Sequence, residues 1–189
     1  MPAPAADRTT DGVVAQKRAL RMQMRTIRAA IAEDVADRAD RSARIWAHVI
    51  PFVSQVSEAA SAPRVVLFDG LPTEPATSSW AAWCRDHDVE VLLPVVDGPD
   101  LRVMPGDVDP VALDLVVVPG LAFTADGRRL GQGGGHYDRF LARLRPDCVT
   151  VGACFAEQLV TELPTEPHDR TVDAVATDAS EGLLQEPLA

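Results

Sequence analysis

The chain has 189 residues, and its 28 acidic against 18 basic side chains give a net charge of −10. That length suits one domain with a sizeable core and is short for two. The acidic balance excludes a general nucleic-acid binder, which needs a basic face to neutralise phosphates. No apolar run approaches the ~18 residues of a membrane-spanning helix, so no membrane role is expected.

The opening stretch MPAPAADRTTDG lacks the apolar centre of a secretory signal, and residues 1–11 read as a loose tail. Residues 12–178 read as the domain, with a second tail over 179–189. Cys84, Cys148 and Cys154 have neither metal-ligand nor CxxC spacing. They fit small buried hydrophobes in a reducing, cytoplasmic setting, and a monomer is the expected state. Nine of the basic residues fall in the first quarter, and Lys17 is the one lysine of the chain, as Tyr137 is its one tyrosine.

Helical spacing of Leu20, Met24, Ile27 and Ile31 predicts a first helix over 12–33. Lys17, Arg21, Arg25 and Arg28 form a basic stripe beside that apolar one. Like charges four apart repel on an isolated helix, so the stripe is either solvated or lies along something anionic. A second helix is predicted over 35–53 and a loop over 54–63. The run Arg64–Phe68 predicts a buried strand, with DGLPTEP (69–75) as the loop at its end. A helix over 77–86, capped by Thr77 or Ser78, follows. Strands are predicted at 89–96 and 113–118, and the Gly-, Pro- and Asp-rich stretch between them reads as loop with one short strand around Val103. A long loop over 119–135 leads to a helix at 136–144, then strands at 149–153 and 172–177. Alternating strands and helices predict an α/β fold, a mostly parallel sheet in a three-layer α/β/α domain. In such sheets ligands bind beyond the carboxyl ends of strands, here the loops after Phe68 and Val118.

The second of these loops carries the chemistry. Residues 128–139 read RRLGQGGGHYDR. Gly131, Gly133, Gly134 and Gly135 free the backbone to turn its N–H groups inward, and the helix that follows offers further unpaired donors. Arg128, Arg129 and Arg139 add positive charge, so a triphosphate is the expected occupant. The P-loop pattern does not fit, because Gly135 is followed by His136 and Tyr137 rather than Lys and Ser or Thr. Asp138, in the first turn of the helix, is open to two readings: compensation of the helix dipole, or a Mg²⁺ ligand beside the phosphates. Glu74 and His168, on their own, read as solvated loop residues.

Taken together, Pro119-Gly-Leu-Ala-Phe, Gly127-x-Arg129-Leu-Gly131-x-Gly-Gly-Gly135-x-Tyr137-Asp-Arg-Phe-Leu141, Lys17-x-x-Leu20-Arg21, the segment from Phe68 to Thr77 with Glu74 inside it, Leu93-Pro94 and His168-Asp169-x-x-Val172-Asp173 resemble the 5-formyltetrahydrofolate cyclo-ligase family. The resemblance implies an ATP- and Mg²⁺-dependent closure of 5-formyltetrahydrofolate to 5,10-methenyltetrahydrofolate, with ADP and phosphate released. It implies that Lys17 and Arg21 contact the ATP phosphates, that Arg129, Gly131, Gly133, Gly134, Gly135, His136 and Tyr137 complete the nucleotide cradle, and that Lys17, Arg129 and Tyr137 serve the reaction. It further implies Asp138 and Asp169 as Mg²⁺ ligands and Glu74, with Tyr137, as the folate contacts. The chain departs from the family pattern at Thr124 and His136 and in the segment 95–113, which is short and has no aromatic residue. The competing readings are a related ATP-binding protein acting on another small metabolite and a catalytically silent nucleotide-binding module.

Overall fold

A computed structural model of the chain describes residues 8–59 and 62–179. Its strands are β1 (Arg64–Val66), β2 (Glu90–Asp97), β3 (Asp100–Met104), β4 (Leu115–Val118), β5 (Ala122–Phe123), β6 (Arg129–Leu130), β7 (Val149–Ala153) and β8 (Ala174–Ala176). Its helices are α1 (Arg8–Ala32), α2 (Val35–Ala59), α3 (Ser78–Asp86) and α4 (His136–Leu141). Six strands make one sheet in the order β3-β2-β1-β4-β7-β8. All its pairs are parallel except β2 with β3, a hairpin at one edge.

Period-two alternation explains the layers. Val65, Leu67, Leu115, Val117 and Ala153 face Ile45, Val49 and Phe52 of α2 and Trp80 of α3. Trp46 stacks on Trp80 with ring centroids 4.8 Å apart, tying α2 to α3. Val66, Leu92, Val116, Val118 and Val175 point the other way, onto Phe140 of α4 and Phe123. Both faces of the central strands are therefore buried, as their continuous apolar runs require, and the domain is a three-layer α/β fold. A third cluster of Met24, Leu121, Ala122, Leu130 and Leu163 seats α1 against the β5–β6 pair.

Several boundaries differ from the sequence expectation. Helix α1 begins at Arg8, while residues 1–7 and 180–189 lie outside the described residues. Helix α2 runs on to Ala59 through Pro51 rather than yielding a loop at 54. The polar stretch SQVSEA hides one apolar position, Val56, which falls in register with Val49, Phe52 and Val53 and packs with them on the sheet. The first strand stops at Val66, two residues early, and the strand expected from 113 begins at Leu115. Thr77 takes the N-cap position of α3, but its side chain makes no capping hydrogen bond. The long loop after β4 contains the antiparallel pair β5–β6, with Ala122 opposite Leu130 and Phe123 opposite Arg129. Helix α4 ends at Leu141, before the expected 144.

Candidate active site

The inward face of α1 is polar at one end and apolar in the middle. Positions 17, 21, 24 and 28 fall on one side of a helix, and Lys17, Met24 and Arg28 are buried there. The basic stripe therefore splits. Lys17, 5 % exposed, donates to Glu166 Oε2 at 2.8 Å and to Asp169 Oδ2 at 2.6 Å. Arg21 donates from Nε to the Gly131 carbonyl at 2.9 Å, and Arg28 pairs with Glu74. Arg25 stays exposed and reaches Gln132. Something anionic does lie along the stripe, and it is supplied by the protein's own loops.

The glycine loop lies directly opposite. Gly133 and Gly135 adopt φ of +107° and +67°, the left-handed region where a side chain is strained. Gly134 has no positive φ, but a Cβ there would come 2.7 Å from the His136 ring. His136 Nδ1 lies 2.9 Å from the Pro99 carbonyl, to which Arg139 also donates, so the loop is tied to the turn of the β2–β3 hairpin. Helix α4 has only six residues, so its dipole adds little to the cradle. The positive field comes chiefly from arginine and lysine side chains.

Arg129 is buried at 8 % exposure and donates from Nη2 to Asp138 Oδ1 at 2.9 Å. Asp138 Oδ1 also accepts the Arg170 N–H at 3.2 Å. The Arg129 guanidinium carbon sits 5.6 Å from the centre of the Tyr137 ring. Among the described residues, the Tyr137 hydroxyl and Arg129 Nε are buried without a hydrogen-bond partner. Burial drives the Tyr137 pKa well above its usual 10.0, with Glu74 adding to the rise and Arg129 opposing it, so the hydroxyl keeps its proton. Glu74, 7 % exposed, accepts from Arg28 at 3.0 Å and from the Leu71 N–H at 3.0 Å. It is a held carboxylate rather than a solvated one.

A single cavity of about 250 Å³ brings these parts together. Lys17, Arg21, Glu74, Arg129, the glycines from 131 to 135, His136, Tyr137, Asp138 and Asp169 all line it. Every site residue implied by the family resemblance is thus at this cavity, whereas Arg128, paired with Asp126, and Arg139, bonded to the Pro99 carbonyl, do not line it. Sequence reading missed Glu166, which shares Lys17 with Asp169, and Arg28, which holds Glu74. Among the described residues, Glu166, His168 and Asp169 place potential ligand atoms within 4.8 Å of one another. Asp138 is not in that group, being paired with Arg129 instead. The signal for Glu166 was present in PTEPHDR, where two acids flank a histidine three residues apart.

Comparison with known proteins bears on this constellation. Residues 105–178 match the model of the 5-formyltetrahydrofolate cyclo-ligase family. A Mus musculus 5-formyltetrahydrofolate cyclo-ligase is 41% identical over 76 residues, covering 36% of each chain. An Escherichia coli enzyme of the same name is 42% identical over 73 residues, covering 38% of this chain and 40% of its own. These alignments span between a third and two fifths of the relatives' length. In fold the likeness is broader. A Mycoplasma pneumoniae 5,10-methenyltetrahydrofolate synthetase superposes with a TM-score of 0.72 at 21% identity, over 84% of this chain and 96% of that one. An Aquifex aeolicus synthetase gives 0.72 at 24%, over 92% and 95%. In sequence through the glycine loop, and in fold over most of its length, this chain resembles the 5-formyltetrahydrofolate cyclo-ligase family.

Proposed function

We propose that this protein is a ligase that closes 5-formyltetrahydrofolate to 5,10-methenyltetrahydrofolate at the expense of ATP, with Mg²⁺, releasing ADP and phosphate. The observation that carries the reading is one cavity walled by Lys17, Arg21, Arg129 and a positive-φ glycine loop together with a held carboxylate, Glu74, and a protonated buried phenol, Tyr137. The first set suits a polyphosphate and the second suits the N–H and carbonyl groups of a folate ring. A reducing, cytoplasmic setting is supported by three buried free cysteines.

A formyl oxygen bound as an amide is a poor leaving group. In the proposed reaction it attacks the γ-phosphorus of ATP, ADP leaves, and N10 of the folate then adds to the activated carbon as phosphate departs. Phosphoryl transfer of this kind is governed by positioning and charge neutralisation. Lys17, Arg21 and Arg129 are the groups that do this here. Three cations and four carboxylates (Glu74, Asp138, Glu166 and Asp169) line the cavity, and Lys17 and Arg129 are already paired with acids. An incoming triphosphate must therefore compete with carboxylates for those cations. The oxygen donors of Asp169 and Glu166 fit a hard divalent cation, and Asp138, held by Arg129, lines the same cavity. Mg²⁺ there would supply charge neutralisation of the phosphates, leaving Lys17 and Arg129 free to turn to phosphate oxygens.

One observation favours a second reading, a related ligase acting on another small metabolite. The β2–β3 hairpin supplies Val96 and Leu101 to the cavity wall and no aromatic ring. The two readings separate by product analysis. With 5-formyltetrahydrofolate and Mg-ATP, the first requires one ADP and one phosphate per methenyl product. Nucleotide hydrolysis without folate product would favour the second.

A further inference from the structure

Arg28 has no part in the cavity wall, yet it is the more deeply buried member of an ion pair with a residue that does. Its exposure is 2 %, against 7 % for Glu74. Its guanidinium makes a three-point clamp on the loop after β1. Nη2 reaches Glu74 Oε1 at 3.0 Å and Thr73 Oγ1 at 2.8 Å, while Nε donates to the Thr73 carbonyl at 3.0 Å. The other Glu74 oxygen accepts the Leu71 N–H, and the Glu74 carbonyl accepts from Arg38 of α2 at 2.9 Å. Ser42 of α2 accepts the Ala76 N–H at 2.8 Å. The backbone of 71–76 is thus pinned by two helices, and the carboxylate itself by Arg28.

A buried arginine–carboxylate pair is weak evidence of stability, since an apolar pair of similar volume often serves as well or better. The clamp is also imperfect, because Arg28 Nη1 is buried with no partner among the described residues. What this pair supplies, and apolar packing would not, is a carboxylate fixed in direction at the cavity wall. Arg28 also lies on the same helix as Lys17 and Arg21. At a rise of about 1.5 Å per residue, its Cα is roughly 16 Å along α1 from that of Lys17. One rigid element therefore carries the cations of the phosphate end and the anchor of the Glu74 end.

We propose that Arg28 is a positioning residue that aims the Glu74 carboxylate at the folate ring, so that α1 sets the geometry of both ends of the site. This rests on the proposed cyclo-ligase reading, and the test separates the two. Binding of 5-formyltetrahydrofolate without nucleotide is measured by calorimetry for the parent, Arg28→Gln, Arg28→Lys, Glu74→Gln and the Arg28→Gln/Glu74→Gln double variant, and Mg-ATP binding is measured beside it. Arg28→Gln is expected to weaken folate binding about tenfold and leave Mg-ATP binding within about twofold, with Arg28→Lys recovering part of the loss. In the Glu74→Gln background, losing Arg28 is expected to cost nothing further, because Arg28 acts through that carboxylate. Parent-like folate binding by Arg28→Gln, or equal losses in both backgrounds, would overturn the proposal. A purely structural role would weaken both ligands together. If the parent itself binds no folate, the reading fails but the clamp is still tested by amide exchange at Leu71, whose N–H the carboxylate accepts. Exchange quickened in Arg28→Gln as much as in Glu74→Ala supports the positioning role, and unchanged exchange overturns it.

Discussion

Lys17 Nζ lies 2.6 Å from Asp169 Oδ2, joining residues 152 apart in the chain at the wall of the cavity. Glu166 completes the contact at 2.8 Å. The one lysine of the protein is therefore held between two carboxylates at the cavity that the glycine loop also lines. The ion pairs keep it in place and also set what a nucleotide must displace.

On the proposed reading, replacing Lys17 with alanine is expected to lower ATP-dependent turnover by about tenfold or more, because that reading gives Lys17 the task of stabilising charge on the transferring phosphoryl group. Steady-state kinetics at saturating ATP checks this. Stability should fall as well, since Glu166 and Asp169 lose their partner. Their side chains keep 21% and 18% exposure, so the loss should stay below the roughly 3–5 kcal/mol of a broken fully buried pair.

At the glycine loop the backbone conformation discriminates between positions. Gly133→Val and Gly135→Val place β-branched side chains at φ of +107° and +67°. Each is expected to abolish measurable Mg-ATP binding while the melting temperature drops by only a few degrees, an order of magnitude set by about 1–2 kcal/mol of left-handed strain. Gly134→Ala meets no such strain, only the His136 ring at 2.7 Å. It should shift that ring away from Pro99 and weaken binding less. Calorimetric titration of the three variants gives the order.

The Tyr137 hydroxyl is buried without a partner among the described residues. Tyr137→Phe removes an unsatisfied polar atom, so it should leave stability unchanged or raise it by up to about 1 kcal/mol. Turnover should nevertheless drop, because the hydroxyl remains protonated by burial and is available to donate to bound substrate. Thermal unfolding and kcat on the same preparation separate the two effects.

Burial pushes the Cys84 thiol up to about 11 and the Cys148 thiol up to about 12 from an ordinary 9.0. Cys154 is raised further by the same cause. An acid whose pKa is raised on folding contributes stability that is complete below its unfolded value and is lost as pH climbs through the folded one. The melting temperature should therefore fall progressively as pH rises from about 9 towards 11, beyond the loss from other groups. Cys148→Ala should flatten the slope over that window, as followed by thermal melts at stepped pH.

Much of this architecture was legible in the sequence, and what was not has identifiable causes. The β-branched runs around Val65 and Val116 and the apolar stripe of α1 carry their own periodicity, and the spacing of glycines after Leu130 marks the loop that lines the cavity. Strands β5 and β6 have two residues each, too short for any periodic pattern to register. They form because Phe123 and Leu130 fill the gaps under α4 and α1. Arg28 read as one member of a basic stripe, either solvated or facing an anion, since nothing local distinguishes it from Arg25. Its partners Thr73 and Glu74 lie in another loop, 45 residues on for Thr73. Glu166 had a local signal in PTEPHDR, but its partner Lys17 lies 149 residues away. Glu74 looked like a solvated loop acid until folding supplied the arginine that holds it.

The most direct test of the account is absorbance in the methenyl-folate band after the protein is mixed with 5-formyltetrahydrofolate and Mg²⁺, with and without ATP. The account predicts absorbance that grows only when ATP is present and that falls at least about tenfold in rate for Lys17→Ala. A flat trace from protein that binds Mg-ATP would contradict the folate assignment.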